Sequence, residues 1–178
     1  MEYKHYIEGE KIYLREVRIT DVNEEYYQWM NDSEVNQYLE TRFIPQSIES
    51  IRKYVEKFDG SMNEIFLAIC LKENDKHIGN IKLGPINWIH RFSDVSLILG
   101  DKNYWGKGIA TEAIKLITNY AFTVLNLHKL RAGCYEQNVA SKKAFEKAGY
   151  GVESVFNKQY MFNSKYVNIF SLTIFNEK

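Results

Sequence analysis

The sequence predicts an α/β fold in which a mixed, twisted sheet carries helices on both faces. Three observations predict it. Apolar residues alternate with polar ones in several short segments, one longer segment past the middle repeats its apolar residues at intervals of three and four, and the chain closes on two more alternating runs. Strands, then an α/β unit, then a final antiparallel pair describe a layered α/β domain.

The elements follow in order. Lys11-Ile12-Tyr13-Leu14-Arg15-Glu16-Val17 alternates and forms a first strand. Asp21 and Glu24 have capping-box spacing ahead of Tyr26, Tyr27, Trp29 and Met30, which predicts a short helix. Ile48, Ile51, Val55 and Phe58 recur at three and four after Ser47 and predict a second, amphipathic helix. Phe66 to Leu71 and His77 to Leu83 are strands joined by the polar connection Glu73-Asn74-Asp75-Lys76. Phe92 to Leu99 is the next strand. A third helix then places Ala110, Ala113, Ile114, Ile117, Ala121 and Leu125 on one face. Leu130 to Tyr135 is a strand, Ser141 to Lys147 a helix closed by Gly149, and two late strands lie near Val152 to Met161 and Tyr166 to Phe175.

The chain has 178 residues, two prolines, no repeat and no low-complexity linker, which predicts one domain spanning residues 1–178. Lys plus Arg number 23 and Asp plus Glu number 23, so no global field draws the chain to nucleic acid or to a membrane surface. No apolar run reaches the roughly 18 residues of a membrane span, and Met1-Glu2-Tyr3-Lys4-His5 lacks an apolar signal region; the expected location is the cytoplasm. Cys70 and Cys134 lie in apolar runs and are expected as buried, reduced thiols, with neither a disulfide framework nor a metal site.

The segment richest in chemistry is Tyr104-Trp105-Gly106-Lys107-Gly108-Ile109-Ala110-Thr111-Glu112-Ala113, where a glycine-spaced turn leads from the strand ending in Leu99 into the third helix. Such a junction leaves unpaired N–H groups at the positive end of a helix dipole, an anion site by construction. Gly106 and Gly108 remove side chains, so a phosphate can approach the main chain. The run fits neither G-x-G-x-x-G near the start of a chain nor G-x-x-x-x-G-K-[ST].

The loop closely resembles the pyrophosphate loop of the GNAT superfamily of N-acetyltransferases, Q/R-x-x-G-x-G/A, with Trp105 at the Q/R position and Gly108 and Ala110 at the small positions. The resemblance is nearest to the branch containing the ribosomal-protein alanine acetyltransferases, where W-G-K-G-x-x-T-E-A is common. Asp21, Trp29-Met30-Asn31-Asp32, Glu34-Val35 and Tyr38 match that branch near the start, and Asn138, Ser141, Lys147 and Gly149-Tyr150 match it near the end. The resemblance implies a mostly antiparallel sheet, splayed at a notch that holds acetyl-CoA as acetyl donor. It further implies that the main chain of Trp105, Gly106, Lys107, Gly108, Ile109, Ala110 and Thr111 holds the pyrophosphate. Leu97 and Leu99 would offer main-chain bonds to the pantetheine arm. Asn138 would cap a helix and touch that arm, and Lys107, Lys142 and Lys143 would lie near the phosphates.

The implied reaction is direct attack by an amine, with no nucleophilic cysteine. Asp94, on one strand face with Ser96 and Ile98, is the first candidate for the base that takes the amine's proton; the same position also reads as a plain polar residue at a strand start. His90 is the competitor. Where many members place a tyrosine to protonate the leaving thiolate, this chain has Phe145, which cannot donate, and Ser141 matches the serine assigned that task in the resembling branch; Ser141 also reads as part of a helix terminus. The acceptor pocket is expected from the first helices, the Trp88 loop and the final hairpin, with Trp29, Tyr38, Trp88 and His90 as contacts and Phe43, Phe156, Tyr160 and Phe162 as further aromatics. The run Gly79-Asn80-Ile81-Lys82-Leu83-Gly84-Pro85-Ile86-Asn87-Trp88 is similar to transferases associated with surface-polysaccharide amino sugars, and that resemblance implies a small primary amine as acceptor, with a nucleotide-linked amino sugar as the specific candidate and a protein or peptide N-terminus as the alternative. A diamine or antibiotic is disfavoured because no acidic stretch would attract a polycation. A non-catalytic acetyl-CoA-binding module, an aromatic interaction protein and a homodimer are left open.

Overall fold

A computed structural model describes residues 7–177. Eight strands form one sheet: β1 (Ile7–Glu8), β2 (Ile12–Glu16), β3 (Ile65–Leu71), β4 (His77–Leu83), β5 (Phe92–Leu99), β6 (Lys129–Tyr135), β7 (Gly151–Phe162) and β8 (Lys165–Phe175). Their order is β1-β2-β3-β4-β5-β6-β8-β7. Every neighbouring pair is antiparallel except β5–β6. Five α-helices decorate it: α1 (Glu24–Asn31), α2 (Ser33–Asn36), α3 (Ile48–Glu56), α4 (Ile109–Thr123) and α5 (Val139–Lys147). The fold is the mixed, mostly antiparallel sheet that the sequence predicts.

Alternation along β5 separates two apolar layers. Leu97 and Leu99 pack with Ile81, Leu83, Ile114, Ile117, Leu130, Phe145 and Leu172 against α4 and α5. Ile98 points the other way, into Val22, Tyr26, Trp29, Ile51 and Val55 of the layer under α1 and α3. Helices therefore lie on both faces.

The expected cap of α1 is corrected. Asn23, not Asp21, accepts from the Tyr26 N–H, and Asp21 sits one turn earlier in a 3-10 turn, Ile19–Asp21. The reason is Arg15, whose guanidinium reaches both oxygens of the buried Asp21 carboxylate at 2.7 and 2.8 Å and outcompetes a helix terminus for it. Burial pushes the Asp21 carboxyl up, but the Arg15 bonds outweigh it and hold it below the usual carboxylate range. Asn138 caps α5, its side chain accepting from the Ser141 N–H at 3.1 Å, so that helix begins at Val139 rather than Ser141. The two-residue β1 and the one-turn α2, capped by Asp32, were too short for a periodic signal.

The layer under α1 carries a polar interior. The His77 ring meets Trp29 and Tyr26 edge-on at centroid distances of 5.1 and 5.9 Å, and its Nε2 lies 2.8 Å from Asn80 Oδ1. Trp29 in turn lies flat over Gly100, where a Cβ would stand 2.0 Å from its Cδ2. Only glycine permits that approach. Burial pushes the His77 imidazole below its ordinary value, against an opposing hydrogen bond to Asn80. The unfolded chain then binds this proton more readily than the folded one, so stability held above the ordinary histidine range, near pH 6.5, is lost as pH falls through it. Urea midpoints are expected to drop between pH 7.5 and pH 5.5, and His77→Gln to remove most of that pH dependence; an unchanged slope in the variant would refute the assignment.

Candidate active site

The parallel pair β5–β6 is registered only over Phe92–Lys129, Ser93–Leu130 and Asp94–Arg131. Beyond Asp94 the two strands diverge, β5 towards the glycine loop and β6 towards α5. The Gly84 N–H bonds to the Asp94 carbonyl and the Gly100 N–H to that of Ile78, so even-numbered residues of β5 bond to β4. By alternation the main-chain groups of Val95, Leu97 and Leu99 aim into the opening. On β6 the Asn176 N–H bonds to the His128 carbonyl and the Glu136 N–H to that of Asn168, so Gly133 and Tyr135 face the opening from the other side. The notch is thus lined by free strand edges on both sides. Gly133 was not singled out from sequence, although a glycine inside an apolar strand signals close backbone approach; a Cβ there would meet no atom within 4 Å.

The glycine loop closes the open end. A 3-10 turn, Lys102–Tyr104, capped by Asp101, leads to Trp105, whose indole N–H donates to the Leu99 carbonyl at 2.7 Å. Trp105 therefore pins loop to strand and occupies one of the acceptors expected for the pantetheine arm. Gly106 and Gly108 have φ of 72° and 83°, and Gly108 is the N-cap of α4. The first helical bond runs from the Glu112 N–H to the Gly108 carbonyl, which leaves the N–H groups ahead of it for another acceptor. A Cβ at either glycine would stand in open space, so the constraint is the left-handed backbone and the clear approach. The cradle fits a pyrophosphate: N–H donors, a helix dipole and no acidic side chain turned to it, since Glu112 accepts from the Lys11 N–H at 2.9 Å. Lys11 Nζ lies 3.4 Å from the Lys107 carbonyl and brings to the loop a cation that sequence reasoning missed, because β2 is distant in the chain. Thr111 lies in the first turn of α4; Lys107 sits over Tyr104, Lys142 pairs with Glu146, and Lys143 is exposed on α5.

At the apex of the notch, Asp94 forms a two-point ion pair with Arg131, Nε–Oδ1 2.7 Å and Nη2–Oδ2 3.2 Å, with Asp94 43% exposed. Asp94 and Ser96 share the face of Ile98, the side of α1 and α3. Ser141 stands on the other side of the notch, its hydroxyl against the Cys134 thiol. Burial pushes that thiol up despite the Ser141 bond, so Cys134 stays protonated; Cys70, also buried, behaves likewise. Phe145 is fully buried, edge-on to Tyr150 at 5.0 Å.

A cleft of about 410 Å3 opens beside the notch on the α1 side, lined by Ser33, Asn36, Gln37, Arg42, Phe43, Met161, Phe162, Asn163 and Ser164. Behind its Phe162 wall lies an aromatic cluster: Tyr38 stacks on Phe162 at 5.2 Å and lies 5.8 Å from Tyr135, whose ring is 5.5 Å from Tyr160. Three of the expected contacts are not brought there. Trp29 is 7% exposed and belongs to the core against Gly100. Trp88 and His90 lie in the β4–β5 connection at the opposite end of β5 from the glycine loop, with the Trp88 indole bonded to the Met62 carbonyl. Five strand steps from Phe92 to Leu97 put roughly 16 Å between that turn and the middle of the notch. Phe156 is exposed on the outer strand β7.

A splayed parallel pair, free strand edges and a glycine cradle are the features that a long phosphorylated thioester needs, and comparison with known proteins shows the family. The acetyltransferase (GNAT) domain model matches residues 11–151, and the chain belongs to that family. A probable N-acetyltransferase of Bacillus subtilis, YjcK, is 28% identical over 182 residues, covering 96% of this chain and 97% of that protein. The spermidine N(1)-acetyltransferase of Escherichia coli is 35% identical over 100 residues, 56% of this chain and 53% of that protein. The crystal structure of spermidine N-acetyltransferase from Vibrio cholerae with CoA and spermine superposes with a TM-score of 0.84 at 23% identity, over 94% of this chain and 97% of that one. The protein is an N-acetyltransferase, with acetyl-CoA as acetyl donor. Among the described residues no helix is long and apolar enough to cross a membrane, and no group of three His, Cys, Asp or Glu side chains could hold a metal.

Gly108→Asp places a carboxylate in the cradle on a left-handed residue and is expected to weaken acetyl-CoA binding by at least about tenfold in calorimetry. Wild-type affinity in that variant would remove the phosphate assignment.

Proposed function

We propose that the protein transfers the acetyl group to the primary amine of a small polar acceptor, with a nucleotide-linked amino sugar as the acceptor class. The observation that carries the reading is the composition of the cleft: five neutral amide or hydroxyl side chains, two phenylalanines, one methionine and one arginine, with no carboxylate among the lining residues. Amides and hydroxyls suit sugar hydroxyls, and an aromatic face suits a ring. The two buried free thiols agree with action in the reducing cytoplasm.

Bound acetyl-CoA supplies a thioester carbonyl open to attack by an amine. The main-chain groups of Leu97 and Gly133 and the Leu99 N–H orient the arm between the strands, the Leu99 carbonyl being taken by Trp105, and Gly106 to Ala110 anchor its phosphates. Asp94 takes the amine's proton, through water where the amine lies farther off; Arg131 orients its carboxylate by two bonds while its exposed oxygen edges remain free to accept. Ser141 delivers a proton to the departing thiolate, with Phe145 buried and unable to. Asp94→Asn is expected to lower kcat by roughly 10–100-fold with acetyl-CoA affinity retained; kcat within about twofold of wild type would dismiss Asp94 as the base.

A second reading, acetylation of a polyamine, is favoured by the 35% identity to the spermidine enzyme of Escherichia coli over 100 residues. The deciding experiment follows thiol release from acetyl-CoA with nucleotide-linked amino sugars, spermidine, and short peptides with free N-termini. Turnover is expected on the sugars. Turnover confined to spermidine or to peptides would overturn the amino-sugar reading, and tight acetyl-CoA binding without turnover on any amine would point to a binding module.

A further inference from the structure

Arg42 is the most heavily engaged side chain of the cleft. It lies in the 3-10 turn Glu40–Phe43 and its side chain is 12% exposed. Nη1 donates to the Leu39 carbonyl at 2.8 Å; Nη2 donates to the Met161 carbonyl at 3.0 Å and to the Tyr135 hydroxyl at 3.0 Å. The Glu40 carboxylate stands 3.6 Å away, and itself accepts from the Tyr135 hydroxyl at 2.5 Å. The guanidinium carbon lies 4.1 Å from the centre of the Phe43 ring and 5.2 Å from that of Tyr135.

Take the guanidinium away and what remains is a receptor for an ammonium: one carboxylate, two carbonyl oxygens, one hydroxyl oxygen and two aromatic faces, converging on one point. Those groups bind alkylammonium ions by charge-assisted hydrogen bonds and by attraction to the ring faces. Here the cation is part of the chain. Its charge cancels that of Glu40, so the cleft offers a second, incoming cation no surplus negative charge and no free acceptor set.

We propose that Arg42 is a specificity-determining residue: a resident cation that occupies the ammonium receptor of the acceptor cleft and thereby excludes polyamines in favour of acceptors whose body is neutral or anionic. The inference rests on the reading of this cleft as the acceptor site. It accounts for a chain that shares sequence with a spermidine acetyltransferase and yet pairs the one carboxylate it brings to this receptor, Glu40, with a cation of its own. Discrimination of this kind works by repulsion as much as by fit.

The test measures spermidine binding by calorimetry, independent of turnover, for the wild type and for Arg42→Met, which keeps the apolar stem and removes the charge. The variant is expected to gain at least about tenfold in spermidine affinity at unchanged acetyl-CoA affinity, and adding Glu40→Gln is expected to abolish the gain. A purely structural role for Arg42, tying the turn to the β7–β8 hairpin, would weaken ligand binding in the variant and could not create it. Spermidine affinity within about twofold of wild type, with acetyl-CoA affinity intact, would overturn the proposal. If Arg42→Met fails to bind acetyl-CoA, the comparison is read on Arg42→Gln, which retains N–H donors for the Met161 and Tyr135 oxygens, with the same two outcomes. Failure of the amino-sugar reading appears instead as absent turnover on those sugars and leaves this binding comparison intact.

Discussion

The site depends on where one strand pair stops. Seven strand contacts hold the sheet, and six are antiparallel ladders; the seventh, between β5 and β6, is parallel and lasts three residues. Parallel pairing needs a crossover, and α4 supplies it, so the glycine loop that starts the crossover necessarily sits at the end of β5. The divergence past Asp94 and Arg131 then leaves two strand edges without partners directly below a helix N-terminus. Elsewhere such edges would be a liability. Under the proposed reading a pantetheine arm adds to them as an extra strand, with its phosphates at the loop, which makes binding and orientation one event.

The two faces of the sheet divide the work. The face carrying α4 and α5 is apolar and holds Phe145, Ala144 and Ile114 in one continuous core, with Ser141 and the Cys134 thiol at its margin. The opposite face is polar in its interior and mixed at its surface. Arg15, Asp21, His77 and Asn80 lie beneath α1, while Asp94 and Ser96 meet the solvent side of the notch. A buried ion pair such as Arg15–Asp21 adds little net stability against its desolvation cost, but it fixes the turn from which α1 departs.

The cleft is assembled from segments far apart in the chain. The turn carrying Arg42 and the hairpin tip at Met161 to Ser164 are joined by a single guanidinium, and Tyr135 connects both to the rim of the notch. The cleft and the notch therefore share a residue at the end of β6, whereas α4 and the glycine loop pack on the other face.

Local order was legible in the sequence because it has a period or a punctuating residue. The strands Phe92–Leu99 and His77–Leu83, the helix after Ser47, the Asn138 cap and the glycine loop all rest on interactions within a few residues of one another. The sites that rest on long-range contacts were not legible. Trp29 reads as an aromatic contact until Gly100 is seen beneath it; Asp21 reads as a cap until Arg15 claims it; Trp88 and His90 read as cleft residues until the turn is placed at the closed end of β5. Lys11, Arg42 and Tyr135 carry no local signal of what they meet. By itself, then, the sequence determined the α/β class, the glycine loop at a helix start and the transferase family, since each is encoded in neighbours along the chain. The tertiary structure alone decided the point at which β5 and β6 part, the pairing of Asp94 with Arg131 and the groups gathered around Arg42, since those depend on partners brought together only by the closing of the sheet.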